Sequence, residues 1–131
     1  LNINFINPIQ SELFVISRGL EEDHKGVDIV AEKGSLVRSS LMGTILYTGF
    51  DHIYGNTILM THKNNFYTFY GHLDTIFINP HEFIKKGELI GTVGESGHSS
   101  GPHLHFEIWD EWNIKDPRLL IKALKGRDVT Q

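Results

Sequence analysis

The sequence predicts an all-β domain, and three observations carry that prediction. Short runs rich in β-branched and aromatic residues recur along the chain between glycine and asparagine punctuation; two of these runs alternate in the manner of a half-buried strand; and one stretch alone carries helix start and stop signals. In order the runs are "INFIN" (3–7), "LFVIS" (13–17), "VDIVA" (27–31), "TILYTGF" (44–50), "NTILMTH" (56–62), "NFYTFYGHL" (65–73), "ELIGTV" (88–93) and "HLHFEIW" (103–109). Residues 116–126, "DPRLLIKALKG", read as a C-terminal helix. Asp116 is its N-cap, Pro117 takes the first helical position, Leu119, Leu120 and Leu124 share one side, and Gly126 ends it. Such a helix would form a lid on the core. "KGSLV" (33–37) and "KGELI" (86–90) echo one another, each leading into a Gly-Thr-Ile or Gly-Thr-Val strand, which suggests a duplicated β-unit.

Composition bounds the rest. A chain of 131 residues makes one domain, large enough to bury about two-thirds of the surface its unfolded form exposes. Hydrophobic residues are 40% and charged residues 21%, a globular balance, and the longest apolar runs are far too short to span a bilayer. The formal charge of −4 and the lack of any basic run exclude a nucleic-acid surface. There is no cysteine, so a disulfide framework and a thiolate metal site are both excluded, and any metal must sit on nitrogen and oxygen. The chain begins at Leu1 without a methionine, as expected of a segment excised from a longer protein.

The chemistry lies in the histidines, of which there are eight. In "HLHFEIW" alternation sends Leu104, Phe106 and Ile108 to a core face, and His103, His105, Glu107 and Trp109 to the other. Two histidines at i and i+2 stand about 6.6 Å apart on that face, so both can serve one site. In "HKGVD", His24 and Asp28 would be about 13 Å apart in a straight strand, but a bend at Gly26 lets them converge. In "FYTFYGHLD", Phe66, Thr68, Tyr70 and His72 share a face and Tyr67, Phe69 and Leu73 take the other, with His72 at the strand end. His52, His81 and His98 read as surface histidines, and His62 as structural. "HE" at 81–82 does not open a helical H-E-x-x-H zinc motif, because position 85 is lysine. His24, Asp28 and one histidine of the pair make three nitrogen and oxygen donors; structural zinc is usually closed by four protein ligands, whereas catalytic zinc keeps three and leaves a place for water.

Taken together, "HKGVD", "YGNTILMTH", "YGHLD" and "SSGPHLHFE", in that order between about Arg18 and Pro117, resemble the catalytic domain of the lysostaphin-type, LytM-like zinc metallopeptidases, which cut peptide bonds in bacterial peptidoglycan. The resemblance implies a compact, mostly antiparallel β-sheet built on a duplicated motif, with an active-site groove across the sheet. It implies one Zn2+ per chain on His24, Asp28 and His105, with His72 and His103 flanking the metal as catalytic histidines. His103 would accept the proton of the attacking water and His72 would donate to the oxyanion, two roles that could be exchanged. Residues 1–131 would be a single catalytic domain from a longer exported protein, acting outside the cytoplasm on peptidoglycan stems or crosslinks. Glu107 would orient a ligand imidazole or form a cross-strand ion pair, Tyr70 would donate to the oxyanion or floor the groove, and His98 would touch substrate from its loop. The chain departs from the family pattern at its start, where Pro8 is followed by Ile9 in place of a glycine. The five metal and catalytic positions are intact, unlike degenerate relatives that activate amidases after losing ligands.

Overall fold

The computed structural model describes residues 3–129. Ten strands form one sheet in which every strand pairing is antiparallel. They are β1 (Val15–Arg18), β2 (Val27–Val30), β3 (Leu36–Arg38), β4 (Gly43–Asp51), β5 (Gly55–Thr61), β6 (Phe66–Ile76), β7 (Phe83–Ile84), β8 (Leu89–Val93), β9 (His103–Asp110) and β10 (Asn113–Lys115). The main path runs β1-β2-β9-β6-β5-β4-β7, with β10 on β9 and the pair β3-β8 attached to β6. The expected all-β antiparallel class is what the chain adopts.

Alternation builds the core. Val27 and Ile29 on β2, Leu104, Phe106 and Ile108 on β9, Tyr70 on β6, and Ile58 and Met60 on β5 are all fully buried in one cluster, each side chain contributing about 1.5–3 kcal/mol on leaving water. The opposite face of the same strands carries the site; there His24, His72, His105 and Glu107 are themselves buried, and His103 and Trp109 are half-buried.

The internal echo has a structural counterpart. β3 and β8 pair with one another, and the two Lys-Gly turns before them are matched: Gly34 and Gly87 both have positive φ, at 92° and 86°. The Gly34 N–H donates to Val93 O at 2.8 Å, and the Gly87 N–H to Ser39 O at 2.9 Å. Two equivalent β-units thus meet about a local pseudo-twofold.

Three expectations need correction. "INFIN" is not a strand: Pro8 has no N–H to give a ladder, and the Asn7 side chain accepts the Ile9 N–H at 2.9 Å, turning the chain so that Phe5 and Ile9 bury against the core. The C-terminal helix covers only Pro117–Leu120, capped by Asp116, and passes at an extended Ile121 into a single 3-10 turn, Lys122–Leu124. Burial decides this: Ile121 and Leu124 are in the core, while Leu119 is 73% exposed, so a straight helix with Leu119, Leu120 and Leu124 inward would bury the wrong side chains. Lastly, alternation along β6 fails at His72. Between Tyr70 and Leu73 the strand carries one more residue than β5 opposite, a bulge in which His72 takes φ 62°. Tyr70 and Leu73 therefore both face the core, and His72 is turned to the opposite face.

Candidate metal centre

Sheet register brings the first groups together. Asp28 of β2 lies directly opposite His105 of β9, and His105 is opposite Gly71 of β6. Close approach of β2 to β9 depends on Gly26, where a Cβ would run into the Phe106 carbonyl oxygen. Before it, a tight turn in which Glu21 and His24 exchange backbone hydrogen bonds, at 3.0 and 3.1 Å, folds His24 back over Asp28. His24 Nε2 is 3.1 Å and His105 Nδ1 2.9 Å from Asp28 Oδ1. One donor atom from each of the three residues lies within 4.8 Å of the others. His103 Nε2 stands 3.8 Å from the same oxygen, and the bulge at residues 71–73 sets the His72 ring 4.5 Å from that of His103, centroid to centroid.

What holds each imidazole fixes which nitrogen faces the centre. A carbonyl or carboxylate oxygen can only accept, and a neutral imidazole has one N–H to give, so in the neutral ring a nitrogen bonded to such an oxygen outside the Asp28 cluster carries the proton and leaves the other as a lone pair. His24 Nδ1 donates to Gly19 O at 2.8 Å, and His72 Nδ1 to Ser96 O at 2.8 Å. His103 Nδ1 donates to Gly101 O at 3.0 Å, with the Ser99 hydroxyl 3.1 Å away. His105 Nε2 donates to Glu107 Oε2 at 2.7 Å, and the other Glu107 oxygen accepts the Trp109 indole N–H at 2.7 Å. With those nitrogens committed, lone pairs of His24, His103 and His105 meet around a carboxylate oxygen. Acceptors packed on acceptors repel, so the cluster needs a cation at its centre: a proton or a metal ion.

The charge balance has the same cause. Burial pushes the Asp28 carboxyl up, but the hydrogen bond from His105 and the charges of the surrounding histidines outweigh it and hold it below the usual carboxylate range. Burial also disfavours a charged His105, yet the Asp28 and Glu107 carboxylates on its two sides raise it above an ordinary histidine. His72 is held below the ordinary value by burial, against the pull of its bond to Ser96.

The donor set suits zinc, which takes imidazole nitrogen and carboxylate oxygen at about 2.0–2.2 Å. Glu107 accepts from His105 Nε2 and so fixes the tautomer of that ring, consistent with the orienting role offered by the sequence. Other assignments change. Tyr70 is fully buried, its hydroxyl accepting from the Ser40 N–H at 3.1 Å, so it neither floors the groove nor reaches an oxyanion. The tyrosine at the site is Tyr54, a residue the sequence reading passed over: its ring lies 4.9 Å from that of His105 and 6.0 Å from that of His72, and its carbonyl accepts the His72 N–H at 2.6 Å. Burial and nearby acidic charge raise its phenol, keeping it protonated. Its only sequence signal was its place in "YGNTILMTH". His62 is buried with Nδ1 donating to Met42 O at 2.7 Å, and His52, His81 and His98 are exposed.

The fold and this cluster define a class: an antiparallel β-sheet protein with two buried imidazoles and a half-buried carboxylate gathered on one sheet face, able to hold one metal ion. The chain belongs to peptidase family M23, whose model matches residues 22–117. It is 42% identical over 84 residues to the DD-carboxypeptidase/endopeptidase Mpg of Neisseria meningitidis serogroup B, a match covering 64% of this chain and 19% of that protein. It is 32% identical over 102 residues to the murein hydrolase activator NlpD of Escherichia coli, covering 77% of this chain and 27% of that one. Its fold is that of the antimicrobial peptidase lysostaphin from Staphylococcus simulans, with TM-score 0.80 at 24% identity over 100% of this chain and 60% of the other. The chain therefore spans about a fifth to a quarter of the curated relatives' lengths. Among the described residues, no helix is long and apolar enough to cross a membrane.

Proposed function

We propose that this chain is the catalytic domain of a longer, exported zinc endopeptidase that hydrolyses peptide crosslinks of bacterial peptidoglycan outside the cytoplasm. The observation that carries the reading is the convergence of lone pairs: His24 and His105, each tied down through its other nitrogen, face the same oxygen of Asp28. In the proposal these three hold one zinc ion. When bound, zinc would supply Lewis acidity and lower the pKa of a water far below its bulk value, towards about 7.

The remaining steps belong to the protein. His103, its Nδ1 fixed by Gly101, presents Nε2 and takes up the proton of the attacking water. His72 has Nδ1 committed to Ser96, so it donates to the developing oxyanion through Nε2 only while protonated. The two rings are close enough, at 4.5 Å between centroids, for the proton taken from the water to pass between them, and it leaves on the amine nitrogen as the C–N bond breaks. Tyr54 and Phe69 line the buried side of His105 and exclude water from it.

An activator role, as in the name of the NlpD relative, is the second reading; the full donor set in this chain favours the enzyme. The deciding experiment digests crosslinked muropeptides with zinc-loaded protein beside a chelated aliquot and identifies each new amino terminus by mass spectrometry. The enzyme reading expects a chelator-sensitive terminus. Zinc-bound protein that cuts no crosslink overturns it in favour of the activator.

A further inference from the structure

On the same face of the sheet, beyond the histidines, lies a cavity of about 500 Å³ lined by Leu59, Asn65, Tyr67, Trp109, Glu111 and Trp112. The sheet floor runs unbroken between the two places: Gly71 and His105 form one row, Leu59, Phe69 and Glu107 the next, and Tyr67 and Trp109 the one after. Trp109 stands four residues from His105 along β9, about 13 Å away, and is joined to it by hydrogen bonds through Glu107.

The chemistry of the lining is selective. Three aromatic rings surround the space, and among the described residues Glu111 is its one charged residue and no basic side chain lines it. The Trp109 indole N–H is already given to Glu107, so it is unavailable to an anion, whereas π faces and a carboxylate attract a cation. Glu111 forms no salt bridge among the described residues.

The backbone is strained to put Glu111 and Trp112 there. They are the two residues of the hairpin turn between Asp110 and Asn113, which pair across it. Glu111 has φ 53°, a left-handed conformation for which such turns normally use asparagine or glycine. Its N–H donates at 2.8 Å to Asn65 O, in a second turn where Asn64 and Asn65 also have positive φ. Two strained turns are thus locked together at the rim, and Trp112 is left 89% exposed.

From these features we infer that the cavity is a subsite for a primary ammonium group, the side chain of a diamino-acid residue in the peptide stem. The inference rests on the peptidoglycan reading above and names the part of the substrate held away from the metal. Along an extended peptide, about 13 Å is some four residues, so the ammonium-bearing residue binds several positions from the scissile bond or reaches the cavity through its own long side chain.

The test reads binding without cleavage. The indole N–H signals of Trp109 and Trp112 in an amide correlation NMR spectrum are followed while the purified chain is titrated with Nα-acetyl-lysine amide, and separately with the isosteric Nα-acetyl-norleucine amide. The lysine probe is expected to shift both signals saturably, with at least fivefold higher affinity than the norleucine probe. Trp112→Ala should weaken the lysine probe about two- to fivefold, as loss of one exposed cation–π partner does. Glu111→Gln should weaken it similarly and reduce its salt dependence. Equal shifts with norleucine, no shift with either probe, or variants that bind as the parent does would overturn the inference. Because the readout needs no turnover, a chain that binds the lysine probe but cuts no crosslink counts against the peptidase reading alone.

Discussion

Replacing Gly26 by alanine tests whether close packing of β2 on β9 is what assembles the centre. A Cβ there would strike the Phe106 carbonyl oxygen and lie 2.9 Å from Glu107 Cγ and 3.0 Å from Phe106 C. Two of the three obstacles are backbone and cannot rotate away, so the strands must separate. Overpacking typically costs about 1–3 kcal/mol, and a backbone obstacle belongs at the upper end. For a chain of 131 residues, an unfolding entropy of about 2.1 cal/mol/K per residue makes 1 kcal/mol worth about 3.6 °C. Gly26→Ala should therefore lower Tm by roughly 10 °C and, because Asp28 and His105 face each other two residues further along β2, weaken zinc binding as well. Gly101→Ala is the control: nothing lies within 4 Å of its Cβ position and its φ is not positive, so the loss of unfolded-state freedom should leave Tm unchanged or raise it by up to about 4 °C. Scanning calorimetry with and without chelator, and zinc quantification by mass spectrometry, measure both effects. Equal Tm shifts for the two variants would refute the packing argument.

Three further outcomes are expected. His105→Ala should lose zinc and hydrolysis together, whereas His103→Ala should keep close to one zinc per chain and lose most turnover; metal content and rate measured on the same samples check this, and loss of zinc from His103→Ala would sink the assignment within "HLH". His62 is buried and held below its ordinary value, chiefly by burial against the opposing bond to Met42; the unfolded chain therefore binds the proton first as pH falls, and stability present above about pH 6.5 should decline below it by up to about 1.4 kcal/mol per pH unit. Urea midpoints between pH 7.5 and 5.5 should show a shallower slope in His62→Gln than in the parent, and identical slopes would count against it. Tyr54→Phe should retain more turnover than Tyr54→Ala, since the ring packed on His105 survives, and equal losses would place the effect on the hydroxyl.

The sequence made the sheet and the cluster legible for one reason: strand alternation has a fixed period. His103, His105 and Glu107 could be put on one face, and Leu104, Phe106 and Ile108 on the other, without knowing any neighbour. The bend between His24 and Asp28 was legible through Gly26, although the glycine also serves by leaving room for Phe106 O, while the tight Glu21–His24 turn ahead of it was not. What escaped were features set by pairing between strands. The bulge at His72 exists because β6 must keep Tyr70 and Leu73 in the core while one edge passes from β9 to β8 and the other stays on β5, and no pattern within "FYTFYGHLD" announces it. With the bulge missed, Tyr70 was placed beside His72 and Tyr54 was overlooked. β7 and β10, at two and three residues, are too short to show any period, and the C-terminal helix broke because burial of Ile121 outweighed capping and propensity.

The two halves of the centre rest on different foundations, and that difference bears on mechanism. Asp28 and His105 are register partners on adjacent strands, so their separation is set by the same ladder that closes the core, and a metal held between them is held as rigidly as the sheet. His72 and His103 depend on a loop: His72 Nδ1 on Ser96 O, and His103 Nδ1 on Gly101 O. That loop is itself fastened to the sheet through Ser96, whose hydroxyl donates to Leu73 O at 2.6 Å and accepts the Asn56 N–H at 3.0 Å. A displacement of about 1 Å at a reacting group can cost 100-fold in rate, while leaving a metal site on neighbouring strands intact. On the proposed function, metal affinity and turnover would therefore be separable, the first resting on the β2-β9 register and the second on the segment from Gly94 to Gly101. A relative whose loop moved would keep its zinc and lose its chemistry, which gives a physical route from enzyme to activator on one sheet without loss of a single ligand.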